Sequence, residues 1–276
     1  MSEYSSWIGN TDQQADVITL GIVERYRAVI GTDGNTDQIP NGLHWCLCLP
    51  KAPMDGLGED GHPKTGGFLP SSELPRRMWA SSAVDFLRPI KIGAKIDRLS
   101  TIGNVTEKIG RSGKLLFVEV NHVTKANGIK AIRETQTIVY RDAPTEAAKL
   151  PISGNFQFDE WAVTKKVMPT TSLLFRYSAL TFNTHRLHYD YGYTTQVEGY
   201  PALVVHGPLM ASMLLNFAGE LAGAERIKRF QFRGLAPAFC GQELILAANK
   251  ENAEIDLAII GVDGTKVMTA KAKIGN

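Results

Sequence analysis

The sequence is short of cysteine, has no block of one charge and has no long apolar run, and each shortage removes a class of protein. Three cysteines, Cys46, Cys48 and Cys240, stand among 276 residues. An odd number without paired spacing builds no disulfide framework, so a reducing compartment is expected. Cys46-x-Cys48 lies beside His44, but a zinc site needs a second ligand pair at a familiar spacing, and none follows. These cysteines read as packed side chains in a Trp- and Leu-rich segment. The 30 Lys and Arg nearly cancel the 28 Asp and Glu, leaving a formal net charge of +2. That balance offers no basic arm or face to nucleic acid. No stretch approaches ~18 uninterrupted apolar residues, so no membrane-spanning helix is expected. Met1 to Trp7 has neither a basic nor an apolar targeting region, and a cytoplasmic location is expected.

What is present is an ordinary globular composition, 43% hydrophobic, long enough for one large domain or two small ones. Residues 11–30 read as a helix, capped by Thr11 or Asp12, with Val17, Ile18, Leu20, Ile22 and Val23 as apolar positions. Residues 31–75 are rich in loop formers, with a short apolar helix expected from Gly42 to Leu49, stopped by Pro50 and Pro53. From Met78 to Arg141 the pattern changes to strands, among them Leu115–Val120 and Thr135–Tyr140. Gly110-Arg111-Ser112-Gly113 reads as a hairpin turn. Residues 142–170 read as a linker, with Pro144, Pro151, Gly154 and Pro169.

Beyond the linker the best helix runs from about His206 to Leu221. Leu209, Met210, Met213, Leu214 and Phe217 recur at helical spacing, Pro208 suits the first turn, and Gly219 or Gly223 suits the end. Strands return at Arg229–Phe232, Glu243–Asn249, Glu254–Gly261 and Lys266–Lys273. Pro89-x-x-x-Gly93 is echoed by Pro237-x-x-x-Gly241, each leading into a strand. The echo and the repeated order of helix, then antiparallel strands, indicate a duplicated α+β unit.

Gly56-Leu57-Gly58-Glu59-Asp60-Gly61 matches a dinucleotide-binding glycine pattern. No convincing strand precedes it, and Pro63 and Gly66-Gly67 stand where a helix should begin, so it reads as a flexible loop. No motif calls for a cofactor or a metal. The informative stretch is Phe175-Arg176-Tyr177-Ser178-Ala179-Leu180-Thr181-Phe182-Asn183-Thr184-His185-Arg186-Leu187-His188-Tyr189-Asp190. It is followed by Gly199-Tyr200-Pro201 and by Val204-Val205-His206-Gly207-Pro208 at the helix start. Three of six histidines fall in this span. Proton-transfer groups beside the N–H donors of a helix N-terminus suit acyl-transfer and enolate chemistry.

This segment resembles the hydratase motif of the MaoC-like branch of the hot-dog fold, roughly Y-R-x-S-G-D-x-N-P-x-H-x-D followed by [I/V]-x-H-G. Tyr177, His188, Asp190 and the His206-Gly207 pair match. The form T-x-N-x-H-R-[I/L]-H-Y-D, with G-Y-P and V-V-H-G-P, is similar to a diverged subgroup. That subgroup holds 3-hydroxyacyl-thioester dehydratases and mesaconyl-C4-CoA or itaconyl-CoA hydratases. Arg77 to Ala80, Phe86, Arg88-Pro89 and Gly110 to Gly113 resemble its N-terminal half. The resemblance implies an α+β double hot-dog, each unit a helix wrapped by an antiparallel sheet. A non-catalytic unit at 1–145 and a unit bearing the motif at 146–276 are expected. It also implies a reversible hydratase or dehydratase of an enoyl or 3-hydroxyacyl thioester of coenzyme A or acyl-carrier protein. A homodimer is expected from the edge strands that such units bury by pairing.

The implied catalytic residues are His188 for proton transfer, Asp190 to orient it, Asn183 to hold water, and Gly207 to stabilise the thioester oxygen. Tyr177, His185, Arg176, His206 and Arg233 are the implied substrate contacts, with Arg186 a further candidate for an anionic group. The family places an Asp five residues before its histidine, and this chain has Asn183 there. An amide does not titrate in the useful range, so the usual dyad does not transfer intact. A hot-dog thioesterase and a non-catalytic acyl-thioester-binding protein stand as alternatives.

Overall fold

The computed structural model describes residues 3–32, 37–110, 113–143, 147–154, 156 and 158–275, with Glu3 and Glu225 as backbone only. Strand β1 (Thr11–Val17) leads through Thr19 into helix α1 (Leu20–Ile30). The strands β2 (Arg76–Phe86), β3 (Lys95–Gly110), β4 (Gly113–Ala126) and β5 (Ile129–Arg141) follow. The second half opens with β6 (Val163–Val167) and α2 (Thr171–Thr181). A short helix α3 (Tyr191–Gln196) and the long α4 (Gly207–Ala222) come next. Strands β7 (Ile227–Gly234), β8 (Leu244–Glu251), β9 (Glu254–Gly261) and β10 (Lys266–Ile274) close the chain.

All ten strands join one antiparallel sheet in the order β1-β3-β4-β5-β2-β7-β10-β9-β8-β6. The order is symmetric about the β2–β7 pair, so strand n of the first half occupies the place of strand n + 5 of the second. The duplication extends to details. Thr19 caps α1 through its hydroxyl, and Thr170 caps α2 in the same way. The N–H of Gly93 bonds to the carbonyl of Ile18 just before α1, and that of Gly241 bonds to Pro169 just before α2. The two echoed glycines therefore do one job twice, each at positive φ.

Helix α4 packs across β7, β8, β9 and β10 and also meets β2. Leu209, Met210, Met213, Leu214 and Phe217 are all buried, with Phe230, Phe232, Ile255 and Leu257 in the same core. Each fully buried side chain of this size contributes roughly 1.5–3 kcal/mol. Among the described residues no helix is long and apolar enough to cross a membrane.

Several expectations need correction. Residues 11–17 form an edge strand, not the start of a helix. Their polar, alternately exposed side chains suit a ladder against β3, where Thr11 faces Thr101, and the helix begins only after Thr19. The first-half counterpart of α4 is a single 3-10 turn, Leu43–Cys46, with Gly42 at positive φ before it and Cys48 at positive φ after it. Arg98 fixes that turn by donating to the carbonyls of Leu47 and Cys48. The expected linker contains β6, and α2 was not anticipated as a helix. Arg111 and Ser112 of the hairpin turn, and Pro144 of the linker, lie outside the described residues. Strands β2 and β7 pair within the chain and join the two half-sheets, and β1 and β6 are the edge strands of the whole sheet.

Candidate active site

The site lies where the start of β2 and the loop before it meet the segment between α2 and α4. Helix α2 ends at Phe182, a non-glycine residue in the left-handed region (φ 48°). That conformation costs roughly 1–2 kcal/mol. It is held because the N–H groups of Phe182 and Asn183 both donate to the carbonyl of Ser178. The chain turns sharply there, and Asn183 Oδ1 accepts the backbone N–H of His185 at 2.9 Å. A 3-10 turn, Arg186–His188, then carries His188 into the interior.

His188 is buried, and its Nδ1–H donates to the carbonyl of Val204 at 2.7 Å. This fixes the tautomer and leaves Nε2 with a free lone pair. Its ring stacks on His206, with centroids 3.5 Å apart and planes at 20°. His206 is the residue before α4, so His188 sits beside the N-terminus of that helix. Pro208 has no N–H, and His206 makes no side-chain cap. The first N–H groups of α4, that of Gly207 first, are free by helix geometry to meet an anion. A side chain at Gly207 would meet only the carbonyl of Trp79, at 3.6 Å, so the face of this residue is open. A bulge between Trp79 and Ser81 lies alongside.

Burial holds His188 down to about 4, opposed by the Val204 bond and helped by the charge of His62. His206 is held well below the ordinary imidazole value by burial, then by His188 and His185. His188 is therefore neutral at physiological pH, a base with its lone pair exposed to one side. His206 Nε2 lies 2.8 Å from Ser178 Oγ, while its Nδ1 is buried without a hydrogen-bond partner among the described residues.

The other expected residues divide. Asp190 does not reach His188. Its carboxylate caps α3 by accepting from Tyr193 N, and it pairs with Arg186 at 2.7 Å. Both bonds hold Asp190 below the usual carboxylate range. The orienting group for His188 is the Val204 carbonyl instead. Tyr177 and His206 are fully buried and stand behind His188 as a wall, Tyr177 with its hydroxyl 3.5 Å from Ser212 Oγ. Arg176 is exposed on α2. Arg233 is exposed on β7, on the face opposite the buried Phe232. It borders a surface hollow of about 450 Å³ with Ser81, Thr137 and Lys271, away from the histidines. Arg186 is bound to Asp190 and to the carbonyl of Glu59.

Two residues of the site escaped the sequence reading. The loop around Gly61 is docked, not free. Arg186 N donates to the carbonyl of Asp60, and Thr184 Oγ1 donates to that of Gly61. Gly61 has φ +86°, and a Cβ there would lie 1.9 Å from the carbonyl of Thr184, so only glycine fits. The docked loop brings His62 against His185, with ring centroids 3.9 Å apart, and His185 lies 5.3 Å from His188. His62 Nδ1–H donates to Asp60 Oδ2 at 2.8 Å. Burial pushes Asp60 up, but the His62 bond and charge override it and keep it ionised. Asp60, His62 and His185 hold their ligand atoms within 4.8 Å of one another, the one such group of metal-capable side chains among the described residues. The only sequence signal was a glycine pattern read for its backbone alone.

With this geometry in place, comparison with known proteins gives the affiliation. The family model "Hydroxyacyl-thioester dehydratase type 2" matches residues 42–240. The chain belongs to this family. A curated relative, "Mesaconyl-C(4)-CoA hydratase" of Chloroflexus aurantiacus, is 39% identical over 99% of both chains. The "Hydroxyacyl-thioester dehydratase type 2, mitochondrial" of Schizosaccharomyces pombe is 26% identical over 78% of this chain and 79% of its own. Among solved structures, HtdX of Mycobacterium tuberculosis superposes with a TM-score of 0.72 at 18% identity, covering 96% of this chain and 100% of that one. Another Mycobacterium tuberculosis protein, described as having a double hot-dog fold, covers 97% of this chain and 96% of its own at a TM-score of 0.58 and 11% identity. The fold is a double hot-dog.

Proposed function

We propose that this member of the family reversibly hydrates an enoyl-CoA thioester whose acyl group is a dicarboxylic acid of the mesaconyl or itaconyl type. The enzyme class, a carbon–oxygen lyase acting on acyl thioesters, follows from the family. The substrate class rests on the 39% identity across the whole chain to a mesaconyl-C4-CoA hydratase. The observation that carries the chemistry is His188: Nδ1 tied to Val204, Nε2 free, the ring beside the open end of α4.

In hydration, His188 Nε2 takes a proton from water as the water oxygen bonds to the β-carbon. The double-bond electrons move onto the thioester oxygen, where the N–H of Gly207 and the helix dipole stabilise the charge. The α-carbon then takes a proton, and the thioester carbonyl re-forms. Asn183, its Oδ1 committed to His185, offers its amide N–H groups to the water. Dehydration runs the same steps backwards. Two units, 1–145 and 146–276, then share one site. A cytoplasmic location is part of this reading, supported by three free cysteines.

The test is a turnover panel of crotonyl-, mesaconyl-, itaconyl- and medium-chain enoyl-CoA, with product stereochemistry. The mesaconyl and itaconyl thioesters are expected to give the highest kcat/KM. Release of free thiol in place of a β-hydroxyl would make the chain a thioesterase, and no turnover on any of them would leave it a binding protein.

A further inference from the structure

His188 lacks the carboxylate that a catalytic imidazole commonly has behind it, and Asn183 cannot titrate. The nearest imidazole that does have a carboxylate is His62, contributed by the first half of the chain. Its Nδ1–H is held by Asp60 Oδ2 at 2.8 Å, and its backbone N–H is held by Asp60 Oδ1 at 2.9 Å. The pair has the orientation of the Asp–His part of a catalytic triad: one nitrogen anchored, the other free. Unlike His44, which is sealed in the core, the His62 side chain keeps 22% of its surface exposed. Its ring touches that of His185, which in turn touches that of His188. Four contacts fix the loop that carries it: Arg186 N to Asp60, Thr184 Oγ1 to Gly61, Arg186 to Glu59, and Arg77 to Pro63. Gly61 permits this docking, because its positive φ and its close approach to Thr184 both exclude a side chain. The metal reading of Asp60, His62 and His185 fits less well, because the Asp60 oxygen and the His62 nitrogen already satisfy each other.

We propose that His62, oriented by Asp60, is a second catalytic residue: it gives the α-carbon its proton in hydration and removes that proton in dehydration, while His188 handles the water. This rests on the hydratase reading above. The protons balance. Water's oxygen bonds to the β-carbon and its proton goes to His188. Burial disfavours a resting charge on His62, so the proton on His188 first passes to it through His185 or solvent. The His62 imidazolium then gives that proton to the α-carbon, whose new C–H bond uses the enolate electron pair. Asp60 is the positioning residue, and its negative charge stabilises the imidazolium at His62.

The experiment is steady-state hydration by wild type, His62→Ala and Asp60→Asn, with kcat and KM resolved across pH. His62→Ala is expected to lose about 100-fold or more in kcat, the ordinary contribution of an acid–base group, with KM within about threefold. Asp60→Asn keeps the loop's backbone contacts and an oxygen for His62 N, and so tests the charge alone. The groups that face His62 are Asp60 in its own loop, His185 from the turn after α2, Arg77 from β2 and, beyond His185, His188. Of these only Asp60 favours the imidazolium, so its removal is expected to shift the limb of the pH profile set by His62 to lower pH. A structural role would lower the melting temperature without moving that limb. The proposal is overturned if both variants fold, keep kcat within about threefold and leave the pH profile unmoved. It is also overturned if purified enzyme holds a stoichiometric metal that His62→Ala loses. Should His62→Ala fail to fold, Asp60→Asn decides alone. Wild-type inactivity on every thioester would instead strike the hydratase reading.

Discussion

Each half of the chain buries a histidine, His44 in the turn that stands where the second half has α4 and His188 in the turn that meets the start of α4, and the two differ in their partners. His44 sits in the 3-10 turn of the first half and is 5% exposed, and His188 in the second half is 8% exposed. His44 Nε2 lies 3.5 Å from the carboxylate of Glu134. Trp45 Nε1 and Ser82 Oγ also donate to that carboxylate, at 3.1 and 2.5 Å. Burial alone would push Glu134 up, but bonding and charge from His44, the charge of His122 and the Ser82 bond hold it at about 2. His188 has no carboxylate and keeps a free lone pair beside the start of a 16-residue helix. Burial therefore does not mark a catalytic histidine. What sets His188 apart from His44 is its place, with a lone pair beside the open N-terminus of a helix instead of a buried carboxylate.

The largest expected effect breaks this comparison on the catalytic side. His188→Ala should lower hydration about 10²–10⁴-fold with the melting temperature little changed. Near-full turnover by the folded variant would make His188 structural, like His44. Next comes the structural side. Glu134→Ala leaves His44, Trp45 Nε1 and Ser82 without their shared acceptor in the core, and breaking such a buried pair costs about 3–5 kcal/mol. Denaturant unfolding reads that loss, and His44→Ala should likewise reduce stability more than kcat.

The acid dependence of stability separates the buried imidazoles from the buried carboxylate. His188 is neutral when folded, and the unfolded chain takes up its proton near the usual 6.5. Its folded value is lower, so the stability it contributes is whole above about 6.5 and falls as the pH drops toward about 4. His62, His185 and His206, held down first by burial, act in the same direction. Glu134 has the opposite chemistry and a lower window: its contribution is whole above its usual 4.5 and is lost as the pH falls through about 2. Melting curves from neutral pH to about 4 should therefore fall in wild type, and Glu134→Gln should leave the size of that fall unchanged. A fall abolished by Glu134→Gln would make the carboxylate, not the buried imidazoles, the source of the acid sensitivity.

The smallest expected effect is at Asn183. Asn183→Ala removes the amide that is proposed to hold water, one neutral hydrogen bond worth about 0.5–1.5 kcal/mol or roughly three- to tenfold in rate, together with the bond that Oδ1 accepts from His185 N. Asn183→Asp keeps the oxygen that accepts His185 N and replaces a donor with a charge. It should slow mesaconyl-CoA more than crotonyl-CoA, because like charges repel strongly in a partly desolvated site. Equal effects on the two substrates would remove the repulsion argument.

Much of the second half was legible in the sequence because its signals are local. The apolar spacing of α4, Pro208 at its start and Gly223 at its end lie within one short stretch. The histidines around it drew the reading to the segment that the fold packs against the start of α4, and the resemblance added roles to them. The failures share a cause. Asp60 and His62 meet residues more than 120 positions away, and no periodicity in a Gly- and Pro-rich loop announces a docking partner. Asp190 matched a motif, yet a helix to cap and an arginine four residues before it compete for the carboxylate and win. Residues 11–17 show a polar alternation that the apolar run after them obscured.

The central claim is that the chain adds water across an acyl double bond without breaking the thioester. Incubation of the full chain with mesaconyl-CoA in oxygen-labelled water tests it most directly, followed by mass analysis of the products. The account predicts label in a β-hydroxyl on an intact CoA thioester, formed by wild type and lost in His188→Ala. Label in a released carboxylate together with free thiol would contradict it.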